Sequence, residues 1–109
     1  MIKITIFKKD DLIAGFQVKG HSGYAQEGQD IVCSGVSVAT QMALLGLKEI
    51  LKFDIESNID DGFLVVRLDK KDYQNAAAQV LLQSMEKTLE DIAKNYSKFV
   101  KMEVRRDVY

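Results

Sequence analysis

Along this chain of 109 residues the interval between apolar side chains switches from two to three or four and back again, and does so twice. Each switch marks a change of backbone, because side chains alternate across a strand but return to one face of a helix every three to four positions. Ile2, Ile4 and Ile6 alternate with Lys3 and Thr5. After a polar turn at 8–11, Leu12, Ala14, Phe16 and Val18 alternate with Gln17 and Lys19. Both segments predict half-buried strands joined as a hairpin. From about Val32 to Leu51 helical spacing takes over, with Val36, Ala39, Ala43, Leu47 and Ile50 on one stripe and Val38, Met42 and Leu45 on the next. Hardly any charge precedes Lys48, so this helix is expected either deep in the core or under a partner subunit. Ala39, Ala43 and Gly46 would let a neighbour approach closely. Phe53 and Ile55 open a third strand, Asp60-Asp61-Gly62 signals a tight turn, and Leu64, Val66 and Leu68 make a fourth. Ala78, Leu82, Met85, Leu89, Ile92 and Tyr96 predict a second helix over about 72–96, with Asp72 as its N-cap. Val100, Met102 and Val104 alternate in a last strand.

The order β-β-α-β-β-α-β predicts an α+β fold: a two-layer sandwich with a mostly antiparallel sheet of about five strands and two helices on one face. No linker, repeat or low-complexity segment divides the chain, and 47% hydrophobic residues suffice for one core, so residues 1–109 are expected to be a single domain.

Charge excludes one class of partner. Fifteen basic residues against sixteen acidic ones leave no surplus for bulk capture of nucleic acid. Lys98, Lys101, Arg105 and Arg106 do cluster, but Glu103 and Asp107 interrupt them, which reads as a solvated strand face. The single cysteine cannot form an internal disulfide, so nothing suggests an oxidising compartment. The opening MIKITIFKKDD is too short and too charged for a signal peptide. No uninterrupted apolar run approaches the roughly 18 residues that cross a bilayer. A cytoplasmic protein with no membrane partner is expected.

The chemistry concentrates in residues 20–35, GHSGYAQEGQDIVCSG, which hold the only histidine and the only cysteine, twelve positions apart. One of each cannot supply the three or four ligands of a zinc site, so no metal is expected. The glycines spell neither a dinucleotide fingerprint nor a triphosphate loop, so no cofactor is expected either. Nucleophilic catalysis survives. A thiol of pKa about 8.5 is mostly protonated at neutral pH, and both a helix N-terminus and a neighbouring imidazole lower that value. Cys33 stands where the helical pattern begins, and the N–H groups of Cys33 and Ser34 could hold an oxyanion. Loop 20–32 is long enough to bring His21 back to the sulfur. Each residue also has a structural reading. A lone cysteine is usually a small buried hydrophobe. Gly20, Gly23 and Gly28 suit turns, Asp30 suits a helix cap, and the Ser37 hydroxyl can bond back to its own helix.

The string GHSGYA followed by GQDIVCSGVS resembles the signature of the ribosomal-processing cysteine protease family, Prp, and the resemblance runs through essentially the whole chain. It implies a bacterial α+β homodimer that removes a short N-terminal extension from the precursor of a large-subunit ribosomal protein. It also makes Cys33 the nucleophile and His21 the general base, with Asp30 and Ser37 at further motif positions. Two departures stand out: Ser22 follows the histidine and Ser34 follows the cysteine, where alanine is common in the family. The glycine-rich stretch around Gly20, Gly23 and Gly28 is expected to order around the substrate peptide. The competing reading is a non-catalytic, ribosome-associated dimeric binding module with an inert Cys33; a third is hydrolysis of a thioester or small ester by the same dyad.

Overall fold

The computed structural model describes residues 1–20, 31–60 and 62–107. The elements run β1 (Ile2–Lys9), β2 (Leu12–Lys19), α1 (Ile31–Leu45), a π-helical continuation (Gly46–Ile50), β3 (Glu56–Asp60), β4 (Phe63–Arg67), α2 (Lys70–Tyr73), α3 (Ala76–Asn95) and β5 (Val100–Arg106). The strands form one sheet in the order β3-β4-β2-β1-β5. Three pairings are antiparallel, and β5 lies parallel to β1. The α+β fold and the mostly antiparallel five-stranded sheet read from the sequence are both present.

Register explains why the helices gather on one face. Ile4 stands opposite Val18 and Met102, and Val18 opposite Leu64; Ile6 stands opposite Phe16 and Val104, and Phe16 opposite Val66. Partners in register share a face, so these rows make one apolar surface. Against it lie Val32, Val36, Ala43 and Leu47 of the first helix and Leu82, Met85 and Leu89 of α3, all at most 2% exposed. At Gly46 an added Cβ would stand 2.7 Å from Cδ1 of Leu81 on α3, so the Leu81 side chain packs directly against the bare backbone of the first helix.

A bulge between Phe7 and Lys8 interrupts the β1–β2 ladder. Beside it the buried Gln79 of α3 takes the place of a strand: its Oε1 accepts from the Ile13 N–H at 3.0 Å, and its Nε2 donates to the Ile13 carbonyl at 2.8 Å and the Tyr73 carbonyl at 2.7 Å. Lys8 reaches Glu86 of α3 at 3.1 Å nearby, so both charges are paired where they are mostly covered.

The structure corrects several boundaries. Phe53 and Ile55 precede β3 and pack against the core from the connection. The Phe53 N–H is spent on the Leu47 carbonyl at 3.0 Å, which ties that residue to the helix end and away from the sheet. The single helix expected over 72–96 is two, so the layer holds three helices. Asn75 caps α3, its Oδ1 accepting from the Ala78 N–H at 3.0 Å, while Asp72 is buried inside α2 and caps nothing at α3. The segment Ile31–Ile50 is a 20-residue helix that, although polar residues interrupt it, is long and apolar enough on average to cross a membrane by length and composition. Its buried face is accounted for as the core helix of this domain. Its outer face is not covered: Ile31, Val38, Met42, Leu45 and Ile50 are each more than half exposed.

Candidate active site

Cys33 is the third residue of α1 and half-buried. It therefore lies in the first turn, at the positive end of the helix dipole.

The thiol opens onto a cavity of about 240 Å³ between α1 and the sheet end formed by β2, β4 and the β3–β4 turn. Its two sides differ in chemistry. Cys33, Ser37, Thr40 and Gln41 line it from α1 together with the apolar Val36, while Ile2, Val18, Leu64 and Phe63 line it from the sheet, with Ile59 and Asp60 at the turn. The polar side follows from helical spacing, because Cys33, Ser37 and Gln41 are successive fourth residues and so share a face. Thr40 donates its hydroxyl to the carbonyls of Val36 and Ser37, at 2.9 and 3.1 Å, which settles a buried polar group on its own helix. The Ser37 hydroxyl is handled differently: its Oγ accepts from Nε2 of Gln41 at 2.9 Å.

Gly20 closes the remaining side. Its N–H donates to the Gly62 carbonyl at 2.7 Å, fastening the end of β2 to the β3–β4 turn. Its φ of 93° lies where side chains are rarely tolerated, and an added Cβ would run into the Met1 carbonyl oxygen. Only glycine fits there, immediately before His21.

Among the residues singled out from the sequence, the structure brings Gly20, Cys33 and Ser37 to one cavity. Ser34 does not join them. It is exposed and faces a separate shallow apolar depression with Gly35, Val38, Ala39, Met42, Thr88 and Ile92. His21, Gly23, Gly28 and Asp30 lie outside the described residues, as does Ser22. Sequence reasoning passed over Gln41, although its spacing of eight from Cys33 would have placed it on the same face. It also passed over the hairpin-tip wall, for which local sequence holds no signal beyond the turn itself.

Comparison with known proteins gives this cavity a context. A model of the family described as cysteine protease Prp matches residues 1–101. The Ribosomal processing cysteine protease Prp of Bacillus subtilis is 31% identical over 103 residues, covering 88% of this chain and 90% of that protein. A crystal structure of the essential ribosomal processing protease Prp of Staphylococcus aureus, in complex with a covalently linked product peptide, superposes with a TM-score of 0.88 at 25% identity, covering 96% of this chain and all of that one. A second structure of the Staphylococcus aureus protease, with a substrate peptide, shares the fold at a TM-score of 0.81 and 23% identity, over 96% of this chain and all of that one. The arrangement of a helix-start cysteine over a two-sided cavity thus occurs in a fold whose relatives cut peptide bonds, and the chain belongs to the cysteine protease Prp family.

Proposed function

We propose that this chain is a ribosomal processing cysteine protease that removes the N-terminal extension from the precursor of a large-subunit ribosomal protein, acting in the cytoplasm as a homodimer. The observation that carries the reading is Cys33 in the first turn of α1, lining the cavity of a domain matched by the protease family over residues 1–101.

In this mechanism the imidazole of His21 takes the Cys33 proton, and the thiolate attacks the carbonyl carbon of the scissile bond. The tetrahedral oxyanion collapses, the C–N bond breaks, and the imidazolium returns its proton to the leaving amine. Water, deprotonated by the same imidazole, then attacks the thioester, releasing the extension as a carboxylic acid and restoring the thiol. An extended peptide suits the cavity, with apolar side chains against Val18 and Leu64 and its main chain towards the polar residues of α1. Asp30 is assigned to orienting His21, and Ser37 to the substrate side of the site.

The homodimer is supported by the uncovered apolar face of α1. Val38, Met42, Leu45, Ile50 and Leu81 border one shallow groove, with Gln41 and Glu49 at its polar edge, and a largely apolar helix face can meet its own copy across a twofold axis. Sedimentation should show a dimer at micromolar concentration, and Met42→Lys should shift it towards monomer.

The central test is incubation of the purified protein with the extended ribosomal protein from the same genome, followed by intact mass measurement. Loss of the extension by the parent protein, and none with Cys33→Ala, is the expected result. Cleavage by Cys33→Ala at the parent rate would remove the nucleophile assignment, and a parent protein that leaves the precursor intact would favour the binding-module reading.

A further inference from the structure

We infer that Gln41 is a positioning residue for the protease site, holding the Ser37 hydroxyl so that its proton is presented to the substrate in the Cys33 cavity. The inference rests on the protease reading above and deepens it. Cys33, Ser37 and Gln41 line the same cavity from one face of α1. The Gln41 amide donates to the Ser37 oxygen at 2.9 Å. A serine hydroxyl has one proton and two lone pairs, so filling one lone pair from Gln41 points the proton away from that amide. With that lone pair filled, the hydroxyl proton is left for an acceptor that a bound peptide offers from the cavity, and part of the rotor's freedom is already spent before binding.

The competing description is an ordinary surface pair. Gln41 is exposed and also borders the groove assigned to the dimer, and a polar pair four residues apart on a helix adds little to the helix itself. That weakness makes the two descriptions separable, because stability should hardly register the residue. Neighbouring Thr40 bonds to backbone carbonyls within the helix, whereas Gln41 spends its donor on a side chain that also lines the cavity.

The test uses the full-length protein and a fluorogenic peptide spanning the extension junction of the same genome's ribosomal precursor. Gln41→Leu removes the donor. Gln41→Glu reverses it, since a carboxylate accepts the Ser37 proton and draws it away from the cavity. Expected are an unchanged melting temperature, a three- to tenfold fall in kcat/KM for Gln41→Leu, and a larger fall for Gln41→Glu. In a Ser37→Ala background Gln41→Leu should change kcat/KM by less than about twofold, because its partner is already gone. An equal loss in both backgrounds, no loss in the first, or a loss that tracks a lower melting temperature would each overturn the assignment. Cleavage by the parent but not by Cys33→Ala, measured alongside, shows that such a failure belongs to Gln41 alone; if those two do not differ, the protease reading falls and takes this inference with it.

Discussion

Replacing Gln79 by leucine is the sharpest test of what joins the helical layer to the sheet. The side-chain amide meets a backbone N–H and two backbone carbonyls, all buried, at 2.7–3.0 Å. Leucine fills a similar volume but satisfies none of them. The stranded Ile13 N–H alone costs about 1–3 kcal/mol. The carbonyls of Ile13 and Tyr73 each lose one bond worth about 1 kcal/mol. The total is about 3–5 kcal/mol, a large part of the roughly 5–15 kcal/mol that keeps a domain folded. At about 4 °C per kcal/mol for a chain near this length, the melting temperature should fall by about 12–20 °C. Urea denaturation of parent and variant, with the m-value compared, supplies the free energy directly. A loss below about 1 kcal/mol at unchanged m would refute the claim that Gln79 stands in for a strand partner at the bulge. Gln79→Glu should be worse than leucine at neutral pH, since a carboxylate would face two carbonyls. Its folded-state pKa would be raised, so the variant should recover on acidification below the ordinary glutamate range and lose that recovery as pH climbs through the raised value.

Substitutions at three further positions probe the site. Gly20→Ala should destabilise the fold by at least about 1–2 kcal/mol, from the positive φ and the collision with the Met1 carbonyl; a thermal melt matching the parent would show that the end of β2 is less constrained than described. His21→Ala should lower cleavage by orders of magnitude and slow alkylation of Cys33 near neutral pH, and an unchanged alkylation profile would rule out pairing of the two groups. Asp30→Asn should be nearly harmless if the residue only caps α1 but should cost at least tenfold in turnover, about 1.4 kcal/mol of barrier, if its charge orients His21. Asp30→Ala, compared by melting temperature and turnover, separates the two roles.

The α+β layer and all five strands are legible because alternation reads directly as a strand with one buried face, although the third begins later than its apolar pair suggests. Ile4, Phe16, Val66 and Met102 sit on the helix side as their spacing predicts. Helical periodicity likewise found the core stripe of α1. What it missed depends on tertiary contacts. Phe53 and Ile55 alternate like strand residues, yet the helix end claims the Phe53 N–H. Asp72 and Asn75 are both good caps locally, and only the path of the chain through α2 decides for Asn75. The parallel placing of β5 follows from α3 carrying the chain back across the sheet, which no local pattern encodes. At the site, Cys33 and Ser37 are legible through their spacing, whereas the wall of Ile59, Phe63 and Leu64 reaches the cavity only because β4 pairs with β2.

That parallel pairing also governs the order in which the molecule can be made. Thr5 of β1 and Glu103 of β5 are in register and 98 positions apart, so the first strand is synthesised long before its outer neighbour exists. At about 5–20 residues per second the gap is about 5–20 s, and until it closes the outer edge of β1 presents unpaired backbone groups beside Ile2, Ile4 and Ile6. An open edge of that kind can recruit a strand from another nascent chain. The hairpin β1–β2 and the helices can form early, but the final strand must arrive as a templated addition, so slow, late closure is the kinetic signature this topology imposes.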